Sequence, residues 1–83
     1  MVSLLYPVAT EKAINKIEHD NVITYVVDMR STKKEIKEEF EKTFAVKVDQ
    51  IKTMRSIRNI KRAYIKLSSA NKAADVALKL KLV

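Results

Sequence analysis

The 83-residue sequence has no glycine, no cysteine and no tryptophan, and only one proline and one histidine. Without glycine there is no phosphate-cradling loop or dinucleotide fingerprint, because both need a backbone that no Cβ crowds. Without cysteine there are no disulfides, thiolate metal sites or thiol nucleophiles, which suits a reducing compartment and makes the cytoplasm the expected location. His19 stands between Glu18 and Asp20 near the end of a helical segment, so it reads as a charged surface residue and not as a general base. One histidine cannot build a metal site, and no cofactor is expected. Long apolar runs are missing as well. The start, "MVSLLYPVAT", has no basic leader and few apolar residues before Pro7, so neither a targeting segment nor a membrane insertion is expected. One domain spanning residues 1–83 is expected, near the smallest size that a single core stabilises.

What the chain does have is positive charge, and it is concentrated. The net charge is +7. Between Asp49 and Asp75 lie Lys52, Arg55, Arg58, Lys61, Arg62, Lys66 and Lys72 with no acid among them, while the other ten bases are matched by the ten acids. A field concentrated in this way attracts polyanions, nucleic acid first among them, and it outweighs the simpler idea of a surface kept soluble by charge.

Apolar spacing predicts the elements. Thr10 precedes "EKAINKIE", where Ala13, Ile14 and Ile17 share a helical face and Glu11 meets the positive end of the helix dipole. "NVITYVVDM" (21–29) is β-branched and almost continuously apolar, as a central strand covered on both faces requires. In "STKKEIKEEFEKTFA" (31–45), Thr32 and Glu35 stand in capping-box register, and Ile36, Phe40 and Phe44 follow at steps of four. Lys34/Glu38, Lys37/Glu41 and Glu38/Lys42 are spaced to pair on the outer face of that helix. "VKVDQIKTM" (46–54) and "RAYIKLS" (62–68) are the next strands, with Ala63, Ile65 and Leu67 alternating against Arg62, Tyr64 and Lys66. With no glycine in the turn between them, Asn59 is the best candidate for a positive φ. "NKAADVALKLKLV" (71–83) puts Ala73, Val76, Ala77 and Leu80 on one helical face, with a weak final strand conceivable at 81–83. The expected fold is α+β: a small, mostly antiparallel sheet with flanking helices, in the order helix, strand, helix, strand, strand, helix, with the basic segment at a hairpin tip.

Glu35, Glu38, Glu39 and Glu41 invite a carboxylate-pair or hard-cation reading, but the interleaved Lys34, Lys37 and Lys42 favour a solvated helix face. No enzyme is expected. The remaining chemistry lies in the cationic segment, where Arg55, Arg58, Lys61, Arg62 and Lys66 can reach phosphates, and arginine can also lie flat on an exposed base. That suits folded RNA better than duplex DNA, for which the chain shows no basic helix and no helix-turn-helix pattern. Tyr64 could stack on a base, although packing beneath a helix is the more common fate of such a ring.

The stretches "PVATEKAI", "TKKEIKEEFEKTFAVKVDQIKT" and "KRAYIKLSSANKAADV" resemble the universal large-subunit ribosomal protein family numbered twenty-three, found at the peptide-tunnel exit. The last stretch is similar throughout to the family signature: Lys61, Arg62, Ala63, Tyr64, Ile65, Lys66, Leu67 and Ser68, then Val76. The resemblance covers the chain from about Tyr6 to its end. It implies a structural constituent of the large ribosomal subunit in the cytoplasm, bound to large-subunit rRNA beside neighbouring ribosomal proteins. It also implies a docking point for the signal recognition particle, nascent-chain chaperones and the translocon. By the same resemblance, Lys12, Thr32, Lys33 and Lys34 match positions near rRNA, and Glu11 matches a factor-docking glutamate, although helix-dipole electrostatics alone would also place an acid there. One departure is plain. Bacterial members carry a long hairpin into the tunnel where about eight residues, "RSIRNIKR", stand here, so the chain resembles the compact archaeal form. An alternative is a free single-stranded RNA-binding domain like an RNA-recognition motif, and a further one is an adaptor that binds only protein.

Overall fold

The computed structural model describes residues 4–56 and 58–80. Seven elements follow one another: β1 (Leu4–Pro7), α1 (Glu11–His19), β2 (Val22–Val27), α2 (Lys33–Phe44), β3 (Val48–Arg55), β4 (Lys61–Leu67) and α3 (Ala73–Lys79). The strands form one antiparallel sheet in the order β1-β2-β4-β3. This is the expected α+β architecture with one strand more. β1 is only four residues long and at an edge, with Leu5 and Tyr6 half exposed, so it carries too little alternation to be read from sequence. The possible strand at 81–83 lies outside the described residues.

The cross-strand register explains the two faces. Ile23, Ile65 and Ile51 stand opposite one another, as do Tyr25 and Ala63, and all belong to the buried core. Ile36 and Phe40 of α2 and Ala73, Val76 and Ala77 of α3 close over them in one buried cluster. Each large side chain among these contributes roughly 1.5–3 kcal/mol of burial. Phe40 sits at the centre, edge-on to Tyr25 at 6.3 Å and tilted against Phe44 at 4.6 Å. Burial pushes the Tyr25 phenol above its usual pKa, and the charge of Glu39 adds to the rise, so the phenol stays neutral. α1 touches both sides of the sheet: Ile17 joins the main cluster, while Ala13 packs with Val8 and Val26 on the opposite face. That is why β2 is buried along nearly its whole length.

Caps follow the sequence. The Thr10 hydroxyl accepts from the Ala13 N–H at 3.2 Å, and Thr32 and Glu35 exchange hydrogen bonds at 3.2 and 3.0 Å in a full capping box. The outer-face pairs expected on α2 do not close: among the described residues the only ion pair is Arg30 with Asp28 at 3.7 Å. The α2 acids are used differently. Glu39 accepts from the Leu4 N–H at 2.6 Å and Glu41 from the Val48 N–H at 2.9 Å, tying the helix to β1 and β3 through backbone donors at the start of each strand. The solvated-face expectation is therefore corrected for these two residues, because the start of each strand lies within reach of the helix.

Three left-handed positions, ordinarily glycine's, are filled by Asn21 (φ 57°), Ala45 (φ 55°) and Asn59 (φ 58°). Ala45 ends α2 with nothing but a methyl group to set against the steric cost. Ala45→Gly is expected to stabilise the domain by about 0.5–1 kcal/mol, read as a higher urea midpoint at unchanged m-value.

Candidate nucleic-acid interface

The β3–β4 hairpin is tighter than its sequence suggests. The strands run to Arg55 and resume at Lys61, and the Ser56 N–H donates to the Ile60 carbonyl at 2.9 Å. The Asn59 N–H bonds the Ser56 carbonyl at 3.1 Å, and the Ser56 hydroxyl accepts from the Ile60 N–H at 3.2 Å. Asn59 supplies the left-handed residue that closes such a turn, as expected, and this accounts for a hairpin without glycine. Arg55, Arg58 and Arg62 are exposed around this tip, and no acid lies within ion-pair distance of any of them among the described residues.

Lys61 is different from its neighbours. Its side chain is half-buried, and the ammonium donates to the Ser31 carbonyl at 2.7 Å, bracing the loop before α2. Thr32, the α2 cap, is exposed beside Lys33 and Lys34. Glu11 and Lys12 are exposed in the first turn of α1.

The other cations gather over the outward face of the sheet. Register places Lys66 beside Gln50, Tyr64 beside Lys52, and Arg62 beside Met54 on that face. With α1 as one wall they enclose an open groove of about 890 Å³. Lys12 and Lys16 of α1, Lys33 of α2, Lys52 of β3 and Lys66 of β4 border it, against one acid, Asp20. His19 is exposed at its rim. The Lys16 ammonium lies over the Tyr64 ring at 4.8 Å, so this tyrosine is only partly covered, and by a cation from α1 in place of apolar packing.

The structure thus separates the sequence-derived cations into two groups: Lys12, Lys33 and Lys66 at the groove, Arg55, Arg58 and Arg62 at or near the hairpin tip. Lys34 does not border the groove. Lys16 and Lys52, which the sequence reading does not assign to RNA contact, also border the groove. Lys16 follows Lys12 by one helical turn, and Lys52 alternates with the inward Ile51, so the periodicities that placed the core also placed these two on the exposed face. Among the described residues no three His, Asp or Glu side chains are grouped to hold a metal ion, and no helix is long and apolar enough to cross a membrane.

Fold and charge together define a class: a small α+β domain whose antiparallel sheet is closed by helices on one face and left open and basic over β3 and β4 on the other. A model of the family described as Ribosomal protein L23 matches residues 3–81. A "Large ribosomal subunit protein uL23" from Methanothermobacter thermautotrophicus is 43% identical over 77 residues, covering 93% of this chain and 90% of that protein. A protein of the same name from Trypanosoma brucei brucei is 42% identical over 78 residues, 94% of this chain but 48% of the trypanosomal protein, so the chain spans about half of that relative. The chain belongs to the ribosomal protein L23 family, a family of structural proteins and not of enzymes.

Proposed function

We propose that this protein is a structural constituent of the large ribosomal subunit, in the cytoplasm, held there by contacts of its basic hairpin and open sheet face with large-subunit rRNA. The carrying observation is the placement of charge. Of the seven cations in excess, Lys52, Arg62 and Lys66 stand on the sheet face that is open over β3 and β4 and Arg55 and Arg58 at the hairpin beside it, while Lys61 is engaged with the Ser31 carbonyl and Lys72 stands at the start of α3. Family membership supports the ribosomal context, and it favours this function over a free RNA-recognition motif. Binding to deproteinised large-subunit rRNA is expected to weaken steeply with salt, by about a thousand-fold between 50 and 200 mM for six phosphate contacts. A salt-insensitive interaction would overturn the proposal.

The exit-site role implied by the resemblance rests on a smaller feature. Glu11 opens α1 on the exposed side of its first turn, with Thr10 and not Glu11 supplying the cap, so its carboxylate is free to meet a partner. We take Glu11 as a docking residue for the signal recognition particle, a nascent-chain chaperone or the translocon. Glu11→Ala is expected to leave subunit incorporation unchanged and stability within about 1 kcal/mol, the size of a helix-dipole contact. It should weaken factor binding to ribosomes in a sedimentation assay. Loss of incorporation would instead assign Glu11 to folding.

A further inference from the structure

We propose that the groove between α1 and the outward face of β3 and β4 seats an unpaired segment of RNA, with its phosphates on Lys12, Lys16, Lys52 and Lys66 and one base on the ring of Tyr64. This rests on the rRNA-binding function above and adds which form of RNA the groove takes and which residue reads it.

Both walls of the groove are charged, by α1 on one side and by β3 and β4 on the other, and between them lie a partly covered aromatic ring and an apolar side chain, Met54, that is 61% exposed. Cationic walls that track a backbone, with an aromatic platform between them, are what single-stranded nucleic acid requires. A duplex hides its base faces, so it would bring phosphates to the lysines and nothing to Tyr64 or Met54. The side-chain carboxylates of an acidic peptide would likewise satisfy the lysines and leave the ring bare. The groove is open to solvent and not an enclosed cavity, which suits a chain laid in it better than a small molecule buried within it.

Tyr64 on β4 is set apart from Tyr25 on β2. Tyr25 is sealed in the core against Phe40, whereas Tyr64 is covered by the Lys16 ammonium at 4.8 Å. A cation resting on a partly exposed ring is held more weakly than a stacked base. When RNA enters, Lys16 therefore leaves the ring for a phosphate and a base takes its place. One lysine thus keeps the aromatic face occupied in the free protein and contributes to binding in the complex.

The test uses the whole chain and three probes: a single-stranded RNA of about ten nucleotides, a hairpin that pairs the same nucleotides, and polyglutamate. The single strand is expected to bind at least ten-fold tighter than the hairpin or polyglutamate and to shift the NMR signals of the Tyr64 ring and the Lys16 side chain. Tyr64→Leu should weaken it about ten-fold, Tyr64→Phe should not, and Lys52→Ala or Lys66→Ala should each reduce the salt slope by about one. Circular dichroism of each variant checks that it is folded. Equal binding of the hairpin or of polyglutamate, or no effect of Tyr64→Leu in a folded protein, overturns the proposal. If the groove variants lose nothing on deproteinised large-subunit rRNA while hairpin-arginine variants do, the groove assignment fails and rRNA binding stands. If the unmodified protein does not bind that rRNA, the underlying function fails.

Discussion

Replacing Arg55, Arg58 and Arg62 together by alanine will weaken binding to deproteinised large-subunit rRNA by about a hundred-fold near physiological salt. It will also reduce the salt slope by about three. The three side chains are exposed and have no acid within ion-pair distance among the described residues, so their substitution removes no contact that holds the fold. Each loss of a charge-assisted phosphate contact amounts to about 1 kcal/mol once screening is allowed for, and three of them to about two decades in affinity. Lys61 gives the contrast. Its ammonium is already engaged by the Ser31 carbonyl, so Lys61→Ala should cost stability more than affinity. Titration by fluorescence anisotropy at several salt concentrations separates the two effects. A triple variant that binds as tightly as the parent would remove the hairpin from the interface.

The largest effect on stability is expected at Asn21. This residue stands in the left-handed region, and its side chain joins two parts of the chain distant in sequence. Nδ2 donates to the Asn71 carbonyl at 2.9 Å and approaches the Leu67 and Ser68 carbonyls at 3.3 and 3.4 Å. Oδ1 accepts from the Ala73 N–H at 2.6 Å. That last bond caps α3, whose own N-cap, Lys72, makes no side-chain cap. Asn21→Ala loses these bonds and puts a Cβ-bearing residue without local hydrogen bonding at positive φ. The combined cost is about 3 kcal/mol, a fall in melting temperature of roughly 10–20 °C. Asn21→Gly, which keeps the backbone freedom and loses only the side chain, should recover about 1 kcal/mol of that. Thermal denaturation of the pair separates the conformational part from the hydrogen bonds. Equal melting temperatures would show that positive φ carries no cost at this position.

Most of the framework is legible from side-chain period. The inward alternation of Ala63, Ile65 and Leu67, the stripe of Ile36 and Phe40, and the Thr32/Glu35 box all appear in the fold as their spacing implies. What period alone misses is whatever depends on pairing across the chain. β1 is defined by its bonds to β2, and Glu39 and Glu41 are recruited by strand ends that no local pattern marks. Asn21 caps a helix 52 residues away. The interface divides in the same manner. Arg55, Arg58 and Arg62 are plain in a run of bases without acids, whereas the groove forms only when α1 is set as a wall beside the open face of β3 and β4. Lys16 and Tyr64 become neighbours only then.

The central claim, that this domain is an RNA-held component of the large subunit, is tested most directly by co-sedimentation. Large subunits stripped of their own L23-family protein are mixed with the purified chain and run through a sucrose gradient. One copy per subunit, lost at high salt and displaced by an intact L23-family protein, is the predicted result. A chain that stays at the top of the gradient at low salt, or that sediments regardless of whether the site is already filled, would contradict it.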